Sequence, residues 1–191
     1  TKINIVCTTM GSKYLKQAIK SVLEQDYNNF ILTIVDDSGT FLSKKTVDSF
    51  DDDRIQLILN ESNLGQAKSL NIGINSIESD FVSIIDDDDF WTVKTKLSKQ
   101  LKFLVNNSSC DLVSDRKIIV NESNNKILND GNNEFYGKVE SLEQLTTKNP
   151  INHSSVMFRR KVFIELGCYD NLLHRAQDLD LWLRFYLNNP N

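Results

Sequence analysis

Three apolar runs in the first ninety residues each stop at a cluster of oxygen-bearing side chains. Ile3 to Cys7 runs into Thr8-Thr9, Phe30 to Val35 into Asp36-Asp37, and Phe81 to Ile85 into Asp86, Asp87, Asp88 and Asp89. Short β-branched runs of this length read as strands, and Ile55 to Leu59 is another. Between them apolar residues recur at helical spacing: Tyr14, Leu15, Ala18, Ile19, Val22 and Leu23; then Ala67, Leu70, Ile74 and Ile77; then Val93, Leu97, Leu101 and Leu104. Strands alternating with helices predict an α/β chain of βαβ units around a largely parallel sheet. Right-handed crossovers put the carboxyl ends of parallel strands on one edge, where open sheets bind ligands. That edge is expected to gather the six aspartates and two threonines named above.

Carboxylates brought this close repel one another. A hard divalent cation with oxygen ligands is the economical counter-charge. The competing reading is that Asp36-Asp37 and Asp86 to Asp89 are helix caps and solvated turns. Other chemistries lack their residues. An EF-hand loop needs Gly at its sixth position, where Trp91 stands. The first strand is followed by Thr8-Thr9-Met10-Gly11-Ser12-Lys13, with neither GxGxxG nor a P-loop. There is no GxSxG elbow, and two histidines, His153 and His174, are too few for a histidine-rich metal site.

The second half reads differently. Asp111 to Val120 is expected as a strand, with Ile127-Leu128 pairing back across a turn. Asn121, Asn124, Asn125, Asn129, Gly131, Asn132 and Asn133 mark loop chemistry there. Val156 to Phe158 is a short strand candidate and Lys161 to Leu166 a short helix. Leu179, Trp182, Leu183 and Tyr186 give a final amphipathic helix. At 191 residues this is one domain, and a net charge of -4 excludes an electrostatic nucleic-acid binder. Three widely spaced cysteines (Cys7, Cys110, Cys168) fit no disulfide framework and point to a reducing compartment. No apolar run approaches the ~20 residues of a membrane span. The chain starts on Thr1 without a signal-peptide pattern and stops at Asn191 just after the last amphipathic stretch, which reads as a piece of a longer protein.

Five segments together resemble the inverting family 2 glycosyltransferases, which have the nucleotide-diphospho-sugar transferase fold called GT-A. They are INIVCTT, with Cys7 where the family usually has Pro; LTIVDDSGT, resembling VDDGST with Ser38 and Gly39 swapped; NLGQAKSLNIGI (Asn63 to Ile74); FVSIIDDDDFW, resembling the strand that carries DxD; and AQDLDLWLRF (Ala176 to Phe185), resembling the segment that holds the catalytic base. The resemblance implies a Rossmann-like, mostly parallel central sheet flanked by helices, with a smaller irregular acceptor-side half. Residues 1–105 would form the nucleotide-sugar-binding half of a single domain over 1–191, and residues 106–191 the acceptor and catalytic-base half, truncated at its C-terminus.

The resemblance also implies roles. Thr8 and Asp37 would contact the nucleotide base. Asp86 and Asp87 would lie at the ribose and the outer shell of the metal, and Asp88 would be its main ligand, in the register Asp86-x-Asp88. Lys68 would reach the diphosphate or simply stay solvated on its helix. His153 would sit on the acceptor side. Asp178 would be the base, with Gln177 where the family usually has Glu. Two residues along a helix turn by about 160° relative to one another, so Asp180 cannot share the cleft with Asp178. The implied activity is transfer of a sugar from a nucleotide-diphosphate donor, commonly a UDP-sugar, to a hydroxyl of a saccharide or lipid-linked saccharide acceptor. It would use Mn²⁺ or Mg²⁺ and take place in the cytoplasm or at the inner face of the membrane, in polysaccharide or glycan assembly. Chemistry agrees: a departing diphosphate concentrates negative charge that a divalent ion offsets, and a carboxylate takes the proton of the attacking hydroxyl.

Three other classes compete. A receiver-type signalling module shares the acidic pair but wants a lone phosphorylatable Asp, a later Lys at a strand end and a length nearer ~120 residues. A haloacid-dehalogenase-type phosphatase wants Asp-x-Asp-x-Thr/Val, and counting from Asp86 the fifth position is Phe90. A catalytically silent glycan- or nucleotide-binding relative would keep the same segments.

Overall fold

The alternation appears as β1 (Ile3–Thr9), α1 (Leu15–Leu23), β2 (Phe30–Asp36), α2 (Lys44–Val47), β3 (Ile55–Leu59), α3 (Gln66–Asn75), β4 (Phe81–Ile84) and α4 (Lys96–Asn106). There follow β5 (Leu112–Val113), β6 (Ile119–Val120), β7 (Ile127–Asn129), α5 (Leu142–Lys148), a single 3-10 turn (His153–Ser155), β8 (Met157–Arg159), α6 (Arg160–Glu165) and α7 (Gln177–Asn188). This computed structural model describes residues 1–121, 127–129 and 138–189.

Six strands form the central sheet in the order β3-β2-β1-β4-β8-β5. β1 to β4 are mutually parallel where they pair, and β8 runs antiparallel between β4 and β5. Side-chain alternation divides the core between two faces. Ile3, Ile5 and Cys7 of β1 pack with Leu15, Ile19 and Val22 of α1 and Leu97 and Leu104 of α4. Val6 faces the other way, into the layer that holds Leu70 and Ile74 of α3, Phe163 of α6 and Leu181 and Trp182 of α7. Residues beyond 106 add two strands to the same sheet, so both parts of the chain share these cores.

Two features fix α3, the helix that opens onto the site. Asn4 is buried in β1; its amide donates to the Gly73 carbonyl at 3.0 Å and its Oδ1 accepts from Thr33 Oγ1 at 2.8 Å. The approach is close enough that a Cβ on Gly73 would lie 2.6 Å from Val6 Cγ1 and 2.9 Å from Val35 Cγ2.

The structure departs from the sequence reading of the elements in two places. Asp111 to Val120 is not one strand: it breaks into β5 and β6, because the Asp115 N–H turns to Ser155 Oγ at 3.0 Å instead of continuing a ladder. The predicted return of Ile127-Leu128 does occur, as β7 antiparallel to β6. Asn124, Asn125, Gly131, Asn132 and Asn133 lie outside the described residues. In α7 the buried residues are Leu181, Trp182 and Phe185, with Leu179, Leu183 and Tyr186 only partly buried. Its apolar face is wider than the predicted stripe and centred one position earlier.

Gly73→Ala is expected to destabilise the protein by about 1–3 kcal/mol through overpacking, read as a lower midpoint in urea with an unchanged slope.

Candidate active site

β1, β2 and β4 end on the same edge of the sheet. β8 runs the opposite way, so the polar His153-Ser154-Ser155 turn before it arrives at that edge too. The aspartates after β4 therefore meet side chains nearly seventy positions later in the chain.

Asp86 is the most enclosed of the four. His153 Nδ1 lies 3.1 Å from its Oδ1, Ser154 Oγ donates to Oδ2 at 2.8 Å, and the Asp86 N–H donates to Ser154 Oγ at 3.0 Å. Side-chain exposure is 11% for His153 and 28% for Asp86. Burial alone would raise the Asp86 carboxyl; the charge and hydrogen bond of His153, with the Ser154 hydroxyl, outweigh it and hold the group below its ordinary range. Burial pulls His153 down, but Asp86 first, then Asp178 and Asp89, push it above its usual value. The far nitrogen of His153 lies 3.1 Å from Tyr169 Oη.

The neighbouring acids have different surroundings. Thr9 Oγ1 donates to Asp87 Oδ2 at 2.5 Å, while Asp88 and Asp89 are exposed. Burial and the charge of Asp88 raise Asp87 despite the Thr9 hydrogen bond. Although the residue is exposed, partial desolvation of its carboxyl and the charges of Asp86 and Asp88 raise Asp89, against the Ser154 hydroxyl and Lys117.

Asp36 and Asp37 correct the expectation that six carboxylates meet around one cation. Asp36 is wholly buried and accepts from the Ser38 N–H, the Ser43 N–H and the Ser43 hydroxyl, which folds the loop after β2 back onto the strand. Asp37 Oδ1 accepts from Asn60 Nδ2 and the Leu64 N–H, both at 2.8 Å, and Oδ2 from the Gly65 N–H at 2.9 Å. Among the described residues no group of three or more His, Cys, Asp or Glu side chains is arranged to hold a metal alone.

α3 links the two acidic regions. Gly65, whose φ of +86° suits glycine, is followed by Gln66, whose amide reaches Asp86 Oδ1 at 3.4 Å. Gln66 Oε1 accepts from Gln177 at 2.6 Å. Lys68 is exposed and lines a small cleft with Leu64, Gly65, Gln66, His174 and Gln177. One turn on, Asn71 grips the backbone of Tyr169 from both sides, donating to its carbonyl at 2.8 Å and accepting its N–H at 3.0 Å.

Asp178 enters this edge in the first turn of α7 and accepts from Asn149 Nδ2 at 3.2 Å. Asp180 points away from it, pairing with Arg184 at 2.6 Å. Both backbone positions that set Asp178 are left-handed: Asn149 with φ 34° and Ala176 with φ 56°. The structure thus brings Asp37, Lys68, Asp86, Asp87, Asp88, His153 and Asp178 to one edge. Thr8, one residue before the end of β1, is half-buried, but it is Thr9 that touches the aspartate turn. Thr9 meets the aspartate turn as expected of the strand-end threonines, whereas Gln66, Asn71, Ser154 and Tyr169 are residues to which sequence reasoning gave no role. A polar triplet directly before an apolar run was the one available signal, and it points to the site only once β8 is known to be antiparallel.

The profile described as "Glycosyl transferase family 2" matches residues 4–167. The "Uncharacterized glycosyltransferase MJ1057" of Methanocaldococcus jannaschii is 31% identical over 192 residues, covering 98% of this chain and 65% of its own length. The "UDP-Glc:alpha-D-GlcNAc-diphosphoundecaprenol beta-1,3-glucosyltransferase WfgD" of Escherichia coli is 29% identical over 122 residues, covering 63% of this chain and 48% of its own. The chain thus spans less than two thirds of the length of these relatives. Among solved structures, S. aureus TarS in complex with UDP-GlcNAc superposes with a TM-score of 0.76 at 20% identity, over 98% of this chain and 54% of its own. The mannosyltransferase PcManGT from Pyrobaculum calidifontis, in complex with GDP-Man and Mn²⁺, gives 0.71 at 16% identity, over 98% and 52%. The shared fold is GT-A.

Stability from the His153–Asp86 pair should be complete below about pH 6.5, the ordinary histidine value, and fade as pH rises through the raised value of the folded protein. On the acid side it is lost as pH falls through the lowered value of Asp86. The gap in thermal midpoint between the wild type and His153→Gln should therefore be widest near pH 5.5 and narrow toward pH 9. A gap independent of pH would mean that His153 is neutral.

Proposed function

The chain belongs to glycosyl transferase family 2, and on that premise we propose that it transfers a sugar from a UDP-sugar to a hydroxyl acceptor, with Mn²⁺ or Mg²⁺ and with inversion at the anomeric carbon. The observation that carries this reading is the meeting of Asp86, His153 and Asp178 at the edge where β1, β2 and β4 end.

The donor set fits a hard cation. It is all oxygen, Asp88 is exposed, and Asp87 and Asp89 are held high by burial and by neighbouring carboxylates. A Mg²⁺ site takes one or two carboxylates together with substrate phosphate oxygens rather than a full protein cage. Asp88 would be its main ligand and Asp86 the second, and the ion when bound supplies a counter-charge for the departing diphosphate. The Mn²⁺ in the PcManGT complex supports the assignment.

This chain's own groups do the rest. His153 and Ser154 hold Asp86 ionised and fixed. Lys68, beside the same cleft, offers the diphosphate a cation. Asp37 would receive the base. Three donors already occupy its carboxylate, and of about four lone-pair positions one remains. Uracil offers one N–H between two carbonyls, whereas guanine offers an N–H and an amino group side by side. A single acceptor position suits uracil. Asp178 takes the proton of the attacking hydroxyl, and Asn149 holds its carboxylate by one oxygen, leaving the other to act as base.

No helix among the described residues is long and apolar enough to cross a membrane. The lipid-linked saccharide in the name of WfgD supports a saccharide or lipid-linked saccharide acceptor, met in the cytoplasm or at the inner membrane face.

In calorimetry, UDP should bind in the presence of Mn²⁺ and much more weakly after chelation, with GDP about tenfold weaker for one unpaired donor. Equal binding without metal overturns the metal assignment. Asp178→Asn should keep UDP affinity and lose transfer by about 10²–10⁴-fold; retained transfer removes Asp178 as the base.

A further inference from the structure

Lys96 opens α4, a position where a basic side chain normally stays in water. Here it is only 7% exposed. Its Nζ donates to Gln100 Oε1 at 2.7 Å, sits 4.2 Å from the centre of the Trp91 ring and lies 4.0 Å from Asp115 Oδ2. Burial pulls its ammonium down to about 7, against the attraction of Asp115. Lys99, on the same helix, faces Asp115 as well. Burying a lysine this way opposes folding, and an apolar side chain of similar length would fill the space at lower cost.

The groups around Lys96 all lead to one place. Trp91 Nε1 donates to the Ser154 carbonyl at 2.7 Å. Gln100 Nε2 donates to the Ser155 carbonyl at 2.8 Å and to Asp115 Oδ2 at 2.9 Å. Ser155 Oγ donates to the Asp115 carbonyl at 2.9 Å. Ser154 holds Asp86 on its other side by the two hydrogen bonds described above.

We propose that Lys96 is a positioning residue that, with Trp91 and Gln100, braces the Ser154-Ser155 turn from behind and so fixes Asp86 for the metal-bound diphosphate. The inference rests on the metal-dependent transferase reading above. Cation–π attraction holds the indole in place, the indole N–H and the Gln100 amide fix two successive carbonyls, and Ser154 transmits the position. Supports of this kind, one step behind a metal ligand, typically govern metal affinity by 10–100-fold.

The test compares wild type, Lys96→Met, Trp91→Phe, the double variant and the exposed control Lys94→Met at pH 7. Thermal midpoint and Mn²⁺ affinity in saturating UDP are measured for each. Lys96→Met should raise the midpoint by about 2–4 °C, the shift expected for each kcal/mol regained in a protein of this size, while weakening Mn²⁺ about tenfold. Trp91→Phe, which keeps an aromatic ring but loses the indole N–H, should weaken Mn²⁺ similarly, and the double variant should be no weaker than the worse single. Lys94→Met should match wild type.

Unchanged Mn²⁺ affinity in Lys96→Met overturns the proposal, as does affinity lost only together with a falling midpoint. Should Lys96→Met fail to fold, Trp91→Phe decides alone, and wild-type affinity in it is fatal. If the wild type itself shows no Mn²⁺-dependent UDP binding, the transferase reading falls and this inference with it.

Discussion

A carboxylate drawn into a protein has to be paired, and Asp86 sets the terms for everything around it. Its partners come from two distant parts of the chain: Gln66 from α3, and His153 and Ser154 from the turn before β8. None is local to β4. The pair forms only when β8 docks antiparallel on β4, so the sheet's change of direction and the electrostatics of the site are one event. Removing one partner from an ion pair this enclosed leaves a charge that costs about 3–5 kcal/mol when burial is complete, and less here because Asp86 keeps some exposure. The arrangement is thus stable as a whole and fragile in its parts.

Equal spacing in the sequence hides unequal roles. Asp36 and Asp37 are adjacent, yet one folds its own loop through Ser38 and Ser43 while the other binds the start of α3. Asp86 to Asp89 are consecutive, yet Asp86 is held ionised while Asp87 and Asp89 are pushed toward their neutral forms. Strand alternation and the partners at each strand end create these differences. Carboxylate crowding falls on Asp87 to Asp89, where the proposed cation would relieve it.

The framework was legible because it rests on local periodicity. Leu15, Ala18, Ile19 and Val22 define α1, and the β-branched runs define β1 to β4, whatever lies elsewhere. The acidic strand ends were legible for the same reason, since the parallel topology collects them. What the residues alone did not show is non-local. Nothing around Gln66 predicts Gln177 and Asp86 as its partners, and Asn71 looks like any polar helix residue until it meets the backbone of Tyr169. The phase of α7 was misjudged because its apolar face is broad enough to fit two stripes. The break between β5 and β6 follows from Ser155 capturing the Asp115 N–H, a competition that periodicity does not encode.

Two local costs mark where the fold accepts strain to place a group. Ala176 adopts left-handed backbone without being glycine, at a cost of about 1–3 kcal/mol, and turns the chain into α7, while Asn149, which tolerates that region as the cap of α5, presents the amide that holds the Asp178 carboxylate. On the opposite side Lys96 opposes folding by its burial. A chain selected for stability alone would carry glycine at 176 and an apolar residue at 96. Neither saving is taken, and the two unpaid positions lie on either side of the Asp86–His153 pair, one behind the proposed base and one behind the proposed metal ligand. Their shared property is that each supports a carboxylate whose direction, in the proposed transfer, would decide whether a hydroxyl and a diphosphate meet in line at one anomeric carbon.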